Sequence, residues 1–184
     1  MKNVLIISGH PNLAESVANR AILDELAARL PQAQIRKLDE LNQHGEFDIA
    51  AEQQALLAAD VIVWQFPFHW YSMPALMKKW LDEVFLHGFS HGSKGKLGGK
   101  KLIVSVTTGA PAAAYGEQSL MKHSMEALLA PFDSIAALCN LEIQAPVYSN
   151  GLSYLHRGDE AGLAAQQQQA KDHAERLVAA INAA

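Results

Sequence analysis

Short apolar runs alternate with longer amphipathic stretches five times along the chain. Residues 4–8, Val-Leu-Ile-Ile-Ser before Gly9 and Pro11, predict a buried strand. Between Ser16 and Leu30, Ile22, Leu26 and Leu30 recur every four residues, which predicts a helix with Ser16 as N-cap and Pro31 as its stop. A second strand is expected over 34–38 and a helix over 52–59. The run Val61-Ile-Val-Trp-Gln-Phe66 predicts a third strand ending at Pro67, and Pro74 suits the first turn of a helix over 74–86. Residues 102–107 read as the fourth strand, 117–129 as a helix, 141–147 as the fifth strand and the Ala- and Gln-rich 159–183 as the closing helix.

Strand and helix alternate without consecutive hairpins, so neighbouring strands need crossover connections and run parallel. The expected class is α/β: a five-stranded parallel sheet with helices on both faces, in the flavodoxin-like order 2-1-3-4-5. Ligands of such sheets bind beyond the carboxyl ends of the strands, which points to the loops after strands one, three and four. The 184 residues suit one domain over 1–184, and 49% hydrophobic with 18% charged residues excludes a disordered chain. A net charge of −4 argues against a nucleic-acid partner, because phosphate backbones are met by basic faces. A single cysteine, Cys139, excludes a disulfide framework and a multi-cysteine metal site. The first apolar run is too short for a signal peptide or a membrane span, so a cytoplasmic setting is expected. The loop 88–101, with five glycines and four lysines, is expected to be mobile.

The first loop, Ser8-Gly-His-Pro-Asn-Leu-Ala-Glu-Ser16, leads into Val17, Ala18 and Asn19. Gly9 allows a tight exit from the strand. Ser16 and the first amides of the helix can form an anion site, to which His10 adds charge. A polar loop before a capped helix fits the same residues. No Gly-x-x-x-x-Gly-Lys-Ser and no Gly-x-Gly-x-x-Gly follows the strand, so neither nucleotide fingerprint applies. The second loop sets four aromatic residues and a histidine within the six positions 66–71. Phe68, His69, Trp70 and Tyr71 suit the edge and face of a planar ring ligand, and equally a loop buried at a subunit contact. The third loop opens Thr107-Thr108-Gly109, whose amides and hydroxyls can meet a polarised ring edge. Tyr115 beyond it is a candidate proton donor or a packed side chain. His123, expected on a helix, is a candidate acid–base group because histidine titrates near neutral pH. His87 and His91 have no carboxylates nearby in the loop, so no metal is expected, and no Gly-x-Ser-x-Gly elbow supports a hydrolase.

The stretch Trp64-Gln-Phe-Pro-Phe-His-Trp-Tyr-Ser-Met-Pro-Ala-Leu-Met-Lys-Lys-Trp-Leu-Asp-Glu-Val-Phe85, with His87-Gly-Phe89 beyond it, resembles the NAD(P)H quinone reductase family of flavoproteins. That family includes mammalian quinone reductases and bacterial ancillary subunits of glutathione-gated potassium efflux antiporters. Gly9-His-Pro11, the 16–19 helix opening, Asp48-Ile-Ala-Ala-Glu-Gln53 and Thr107-Thr-Gly109 extend the likeness through most of the chain. Trp-Tyr-Ser-Met-Pro is its specific part. The resemblance implies a flavodoxin-like fold, a bound flavin, and two-electron transfer from NADH or NADPH to a quinone. It implies that His10, Ser16, Val17, Ala18 and Asn19 hold the flavin phosphate or diphosphate. It sets Phe68, His69, Trp70 and Tyr71 against the isoalloxazine ring, and Thr107, Thr108 and Gly109 at its polar edge. Tyr115 stands at the spacing of the family's active-site tyrosine. His123 lies two residues further from Tyr115 than the active-site histidine of mammalian relatives, and Ala110 replaces a glycine common in the family. The long carboxyl-terminal extension of those relatives is missing, so FMN is expected ahead of FAD.

The expected activity is a ping-pong transfer in which nicotinamide and quinone use one place in turn, with Tyr115 or water supplying a proton. The rival expectation is a regulatory ancillary subunit docked on a potassium efflux antiporter. A one-electron carrier is disfavoured, since true flavodoxins are strongly acidic. A homodimer is expected as well. On the 74–86 helix, Leu76, Met77, Trp80, Leu81, Val84 and Phe85 span about 180°, wider than the ~100° stripe that covers a sheet, and the surplus is expected to face a two-fold partner.

Overall fold

The computed structural model describes residues 2–42 and 44–184. Its strands are β1 (Val4–Ser8), β2 (Gln34–Lys37), β3 (Val61–Pro67), β4 (Lys101–Thr107), β5 (Glu142–Ile143) and β6 (Val147–Ser149). All pair in parallel, in the order β2-β1-β3-β4-β5, with β6 also bonded to β4. Class and order are those expected. The fifth strand is split: β5 pairs with the start of β4 (Lys101↔Glu142) and β6 with its end (Ser105↔Val147). The break falls at Gln144-Ala-Pro146, where a proline has no amide to give a ladder.

The helices are α1 (Ala18–Arg29), α2 (Leu38–Leu41), α3 (Ile49–Ala58), α4 (Ala75–Val84), α5 (Met125–Leu138) and α6 (Glu160–Ala183). Side chains alternate across the strands with a period of two, so each strand feeds two cores. Val4, Ile6, Val61, Val63 and Ile103 meet α1 and α6 through Ile22, Leu26, Ala174 and Leu177. Leu5, Ile7, Ile62, Trp64 and Val104 meet α3, α4 and α5 through Leu56, Trp80, Leu129 and Phe132. Among the described residues, no helix is long and apolar enough to cross a membrane.

Three expectations need correction. The helix expected over 117–129 starts only at Met125, where Ser124 Oγ accepts from the Ala127 amide at 3.2 Å, and runs past Pro131 to Leu138. His123 therefore lies in the turn before the helix. The loop 88–101 is anchored: Phe89, Ser90 and Leu97 are buried, and Lys100 Nζ donates to the carbonyls of Leu57 (2.8 Å) and Ala59 (2.6 Å) at the end of α3. The wide apolar arc of α4 is covered within one chain. Met77, Trp80, Leu81, Val84 and Phe85 are all buried, since α2 and α3 flank α4 as well as the sheet. Trp80 Nε1 donates to the buried Glu52 Oε2 at 3.0 Å and Gln53 Nε2 to the Val84 carbonyl at 3.0 Å. That arc gives no argument for a second subunit.

Candidate functional site

A cavity of about 300 Å³ opens at the carboxyl ends of β1, β3 and β4. Its first wall comes from the β1 exit. A Cβ on Gly9 would sit 2.9 Å from Met77 Cβ, so the glycine is required by packing against α4, where the sequence suggested a tight turn. His10 Nδ1 accepts from the Asn12 amide at 3.1 Å, which leaves the proton of a neutral ring on Nε2. A 3-10 turn, Leu13–Glu15, follows, held by Asp39 Oδ2 accepting from the Leu13 amide at 2.7 Å. Ser16 is extended (φ −86°, ψ 122°) and its Oγ accepts from the Asn19 amide at 3.1 Å. The serine thus makes the capping bond expected of it, although the regular helix opens at Ala18 with Val17 at the boundary. His10, Ser16, Val17, Ala18 and Asn19 all line the cavity.

The β3 exit supplies Pro67, Phe68 and His69. Desolvation lowers the His69 pKa, so its ring is neutral at pH 7. The chain then reverses: His69 and Ser72 exchange both backbone hydrogen bonds at 3.0 Å, across Trp70 (φ 49°) and Tyr71 (φ 63°). Two positive φ values in a two-residue hairpin are the geometry that Asn-Gly adopts readily and bulky residues adopt at a cost of about 1–3 kcal/mol each. The turn carries Trp70 and Tyr71 off the cavity wall. Trp70 is 93% exposed, and Tyr71 Oη reaches Met121 Sδ at 3.3 Å. Within one chain these two residues form a rim, and of the four loop residues Phe68 and His69 line the cavity.

The β4 exit supplies Thr107, Thr108 and Gly109. The Thr108 hydroxyl is committed to the Ala110 carbonyl at 2.9 Å, and its amide to the Ser149 carbonyl at 2.9 Å. Leu152 pairs back onto the Thr108 carbonyl at 2.8 Å. That lacing brings in three cavity residues the sequence did not indicate: Leu152, Tyr154 and, from α6, Gln166, whose Nε2 donates to the Ser153 carbonyl. Tyr115 and His123 do not line the cavity. Tyr115 is half-buried against the core cluster that holds Trp64, Trp80 and Phe132, and His123 is exposed, its carbonyl accepting from the Gly116 amide at 2.8 Å. The two stand in one loop, which touches the rim through Met121. Among the described residues, no cluster of three or more His, Cys, Asp or Glu is arranged to hold a metal ion.

A family model described as a flavodoxin-like fold matches residues 2–174. The chain belongs to that family. It is 42% identical over 144 residues to the glutathione-regulated potassium-efflux system ancillary protein KefF of Enterobacter sp. (strain 638), covering 78% of this chain and 80% of the relative. Among solved structures it is similar to general stress protein 14 of Treponema denticola in complex with FMN, with 33% identity and a TM-score of 0.86 over 96% of this chain and 98% of that one. An NADPH-quinone reductase of P. pentosaceus is 28% identical, with a TM-score of 0.72 over 92% of this chain and 98% of that one.

Proposed function

We propose that the chain is a flavin-dependent NAD(P)H:quinone oxidoreductase that holds FMN in this cavity. The wall of the cavity carries the reading. At one end stand the opening amides of α1 and the Ser16 and Thr107 hydroxyls, a donor set at the positive end of a helix that suits a phosphate. At the other end Pro67, Phe68 and His69 offer flat surface to a planar ring. The Treponema denticola relative in complex with FMN and the P. pentosaceus quinone reductase support the same cofactor and acceptor class.

When bound, the flavin supplies two-electron hydride chemistry between a nicotinamide and a quinone. The protein's share is placement. The Val17 and Ala18 amides and His10 hold the phosphate, and Phe68 and His69 lie along the ring. The Thr107 to Gly109 loop meets the ring's polar edge; with the Thr108 amide and hydroxyl committed elsewhere, the Gly109 amide is its donor, worth about 3 kcal/mol as negative charge grows. Tyr115 and His123, on the loop behind Tyr71, are assigned to proton supply at the rim. Purified protein should absorb near ~450 nm, release FMN on denaturation and reduce quinones with NADH or NADPH. A colourless protein that neither FMN nor FAD reconstitutes overturns the reading.

Similarity to KefF favours a second role for the same fold, that of a cytoplasmic ancillary subunit on a glutathione-regulated potassium efflux antiporter, testable by co-purification with such a membrane protein. The exposure of Trp70 supports a homodimer whose rims meet a second copy. Light scattering should then give about twice the 20.0 kDa chain mass. A monomer with full activity removes that proposal.

A further inference from the structure

Beneath the cavity a polar layer crosses the α1/α6 face of the sheet, a face otherwise built of Val4, Ile6, Val61, Val63 and Ile103. Ser8, Gln65 and Ser105 stand in one register row of β1, β3 and β4, and all are buried. Buried polar groups destabilise a core unless each finds a partner, and linked partners polarise one another. Ser8 Oγ has no hydrogen-bond partner, whereas Gln65 and Ser105 join a continuous line. Arg176 Nη2 donates to Ser149 Oγ at 2.7 Å, and Ser149 Oγ lies 2.9 Å from His173 Nδ1. His173 Nε2 lies 2.7 Å from Ser105 Oγ, which bonds Gln65 Oε1. Gln65 Nε2 donates to Asn19 Oδ1 at 3.0 Å, and Asn19 Nδ2 donates to Thr107 Oγ1 at 3.0 Å and Ser16 Oγ at 3.4 Å.

We propose that this line is a one-way hydrogen-bond relay that turns the Ser16 and Thr107 hydroxyl protons toward the cavity, making His173 and Gln65 positioning residues for the anion bound there. Direction follows from the Gln65 end. An amide oxygen only accepts, so Ser105 gives its one proton to Gln65 Oε1 and must accept from His173 Nε2–H. A neutral imidazole with its proton on Nε2 accepts at Nδ1, so Ser149 donates there while its oxygen accepts from the Arg176 guanidinium, and Gln65 Nε2 donates onward to Asn19. Asn19 then presents its closer contacts to the two hydroxyl oxygens as donors: Nδ2–H to both, and its backbone amide to Ser16 as well. An oxygen that already accepts offers its proton outward. Thr107 Oγ1 also stands 3.4 Å from Asn19 Oδ1, a long contact that an anion in the cavity outcompetes.

The inference rests on the flavin reading for the identity of the anion, and two measurements separate them. In flavin-free wild-type protein, nitrogen-15 NMR of His173 is expected to show the neutral Nε2–H tautomer. The Nδ1–H tautomer, or an imidazolium at pH 7, overturns the relay. Ser105→Ala cuts the line with little change of volume. It is expected to weaken FMN binding by about tenfold, the scale of a hydrogen bond to a charged group, and riboflavin binding by less than about twofold. Equal weakening of both ligands, or of neither, overturns the relay. If wild-type protein binds no FMN at all, the flavin reading falls and the tautomer alone decides.

Discussion

Lowering the pH from 8 to 5 is expected to remove about 2 kcal/mol of stability from the flavin-free protein through His173 alone. The ring is fully buried between the sheet and α6, and the Arg176 charge one turn away adds to the effect. Burial first, and that charge second, push its pKa from 6.5 down to about 3. The unfolded chain therefore takes up the proton before the folded one. The contribution is complete above pH 6.5 and is lost as the pH falls toward 3. At about 1.4 kcal/mol per pH unit, and with protonation of the unfolded ring beginning near 6.5, the loss is about 2 kcal/mol at pH 5 and about 5 kcal/mol once both states are protonated. Urea unfolding at pH 8 and pH 5, for wild type and His173→Gln, isolates this share. The variant should be less stable at pH 8 yet lose about 2 kcal/mol less on acidification. Glu126, held below the usual carboxylate range by the hydrogen bond from Tyr148, contributes equally to both proteins and is lost only at lower pH. Identical pH slopes would refute the argument. Should the variant not fold, titration of the His173 ring by NMR decides instead, since protonation above pH 5 contradicts so deep a burial of the neutral ring.

Replacing Trp70-Tyr71 by Asn-Gly relieves two left-handed bulky residues and should raise unfolding stability by about 1–3 kcal/mol for each residue relieved while slowing quinone reduction; a destabilised variant would show that the aromatic pair packs rather than strains. Tyr115→Phe is expected to slow quinone reduction by about 10²-fold at unchanged flavin content, and unchanged turnover would assign Tyr115 to packing against the core.

The strand order was legible because it follows from few residues. The runs 4–8, 61–66 and 102–107 are apolar on both faces, as strands covered by helices must be, and that alone implies crossovers and a parallel sheet. Boundaries were less legible where a local signal competes with a longer one. Pro131 breaks the pattern of a helix that tertiary packing nonetheless carries through Phe132 and Ala136, so the helix lies further along the chain than the expected 117–129. The α4 arc misleads for another reason. It is as wide as its sequence indicates, but α2 is a single turn that the sequence does not announce, and with α3 it covers the side left over for a partner.

Of the loops around the cavity, those after β1 and β4 were legible because their residues are sequential: Ser16 to Asn19 and Thr107 to Gly109 need only a strand end and a helix start to be brought together. Trp70 and Tyr71 were not, because a composition of aromatic residues does not disclose a reversal with φ above zero, and that reversal decides which side chains line the cavity. The wall from Leu152, Tyr154 and Gln166 depends on the split of the fifth strand, which no periodicity in so short a segment reveals. The buried polar layer did leave a trace. Ser8 ends β1, Gln65 lies two residues before the end of β3, and Ser105 two before the end of β4, each the polar exception in an apolar run. In a parallel sheet whose ligands sit beyond the carboxyl ends, polar residues at one depth in three buried strands fall in one row beneath the site. A single exception in a strand reads as tolerance, whereas a row in register is costly to bury and calls for partners from the helices on that face: His173 meets Ser105 and Asn19 meets Gln65, while Ser8 Oγ is left without one.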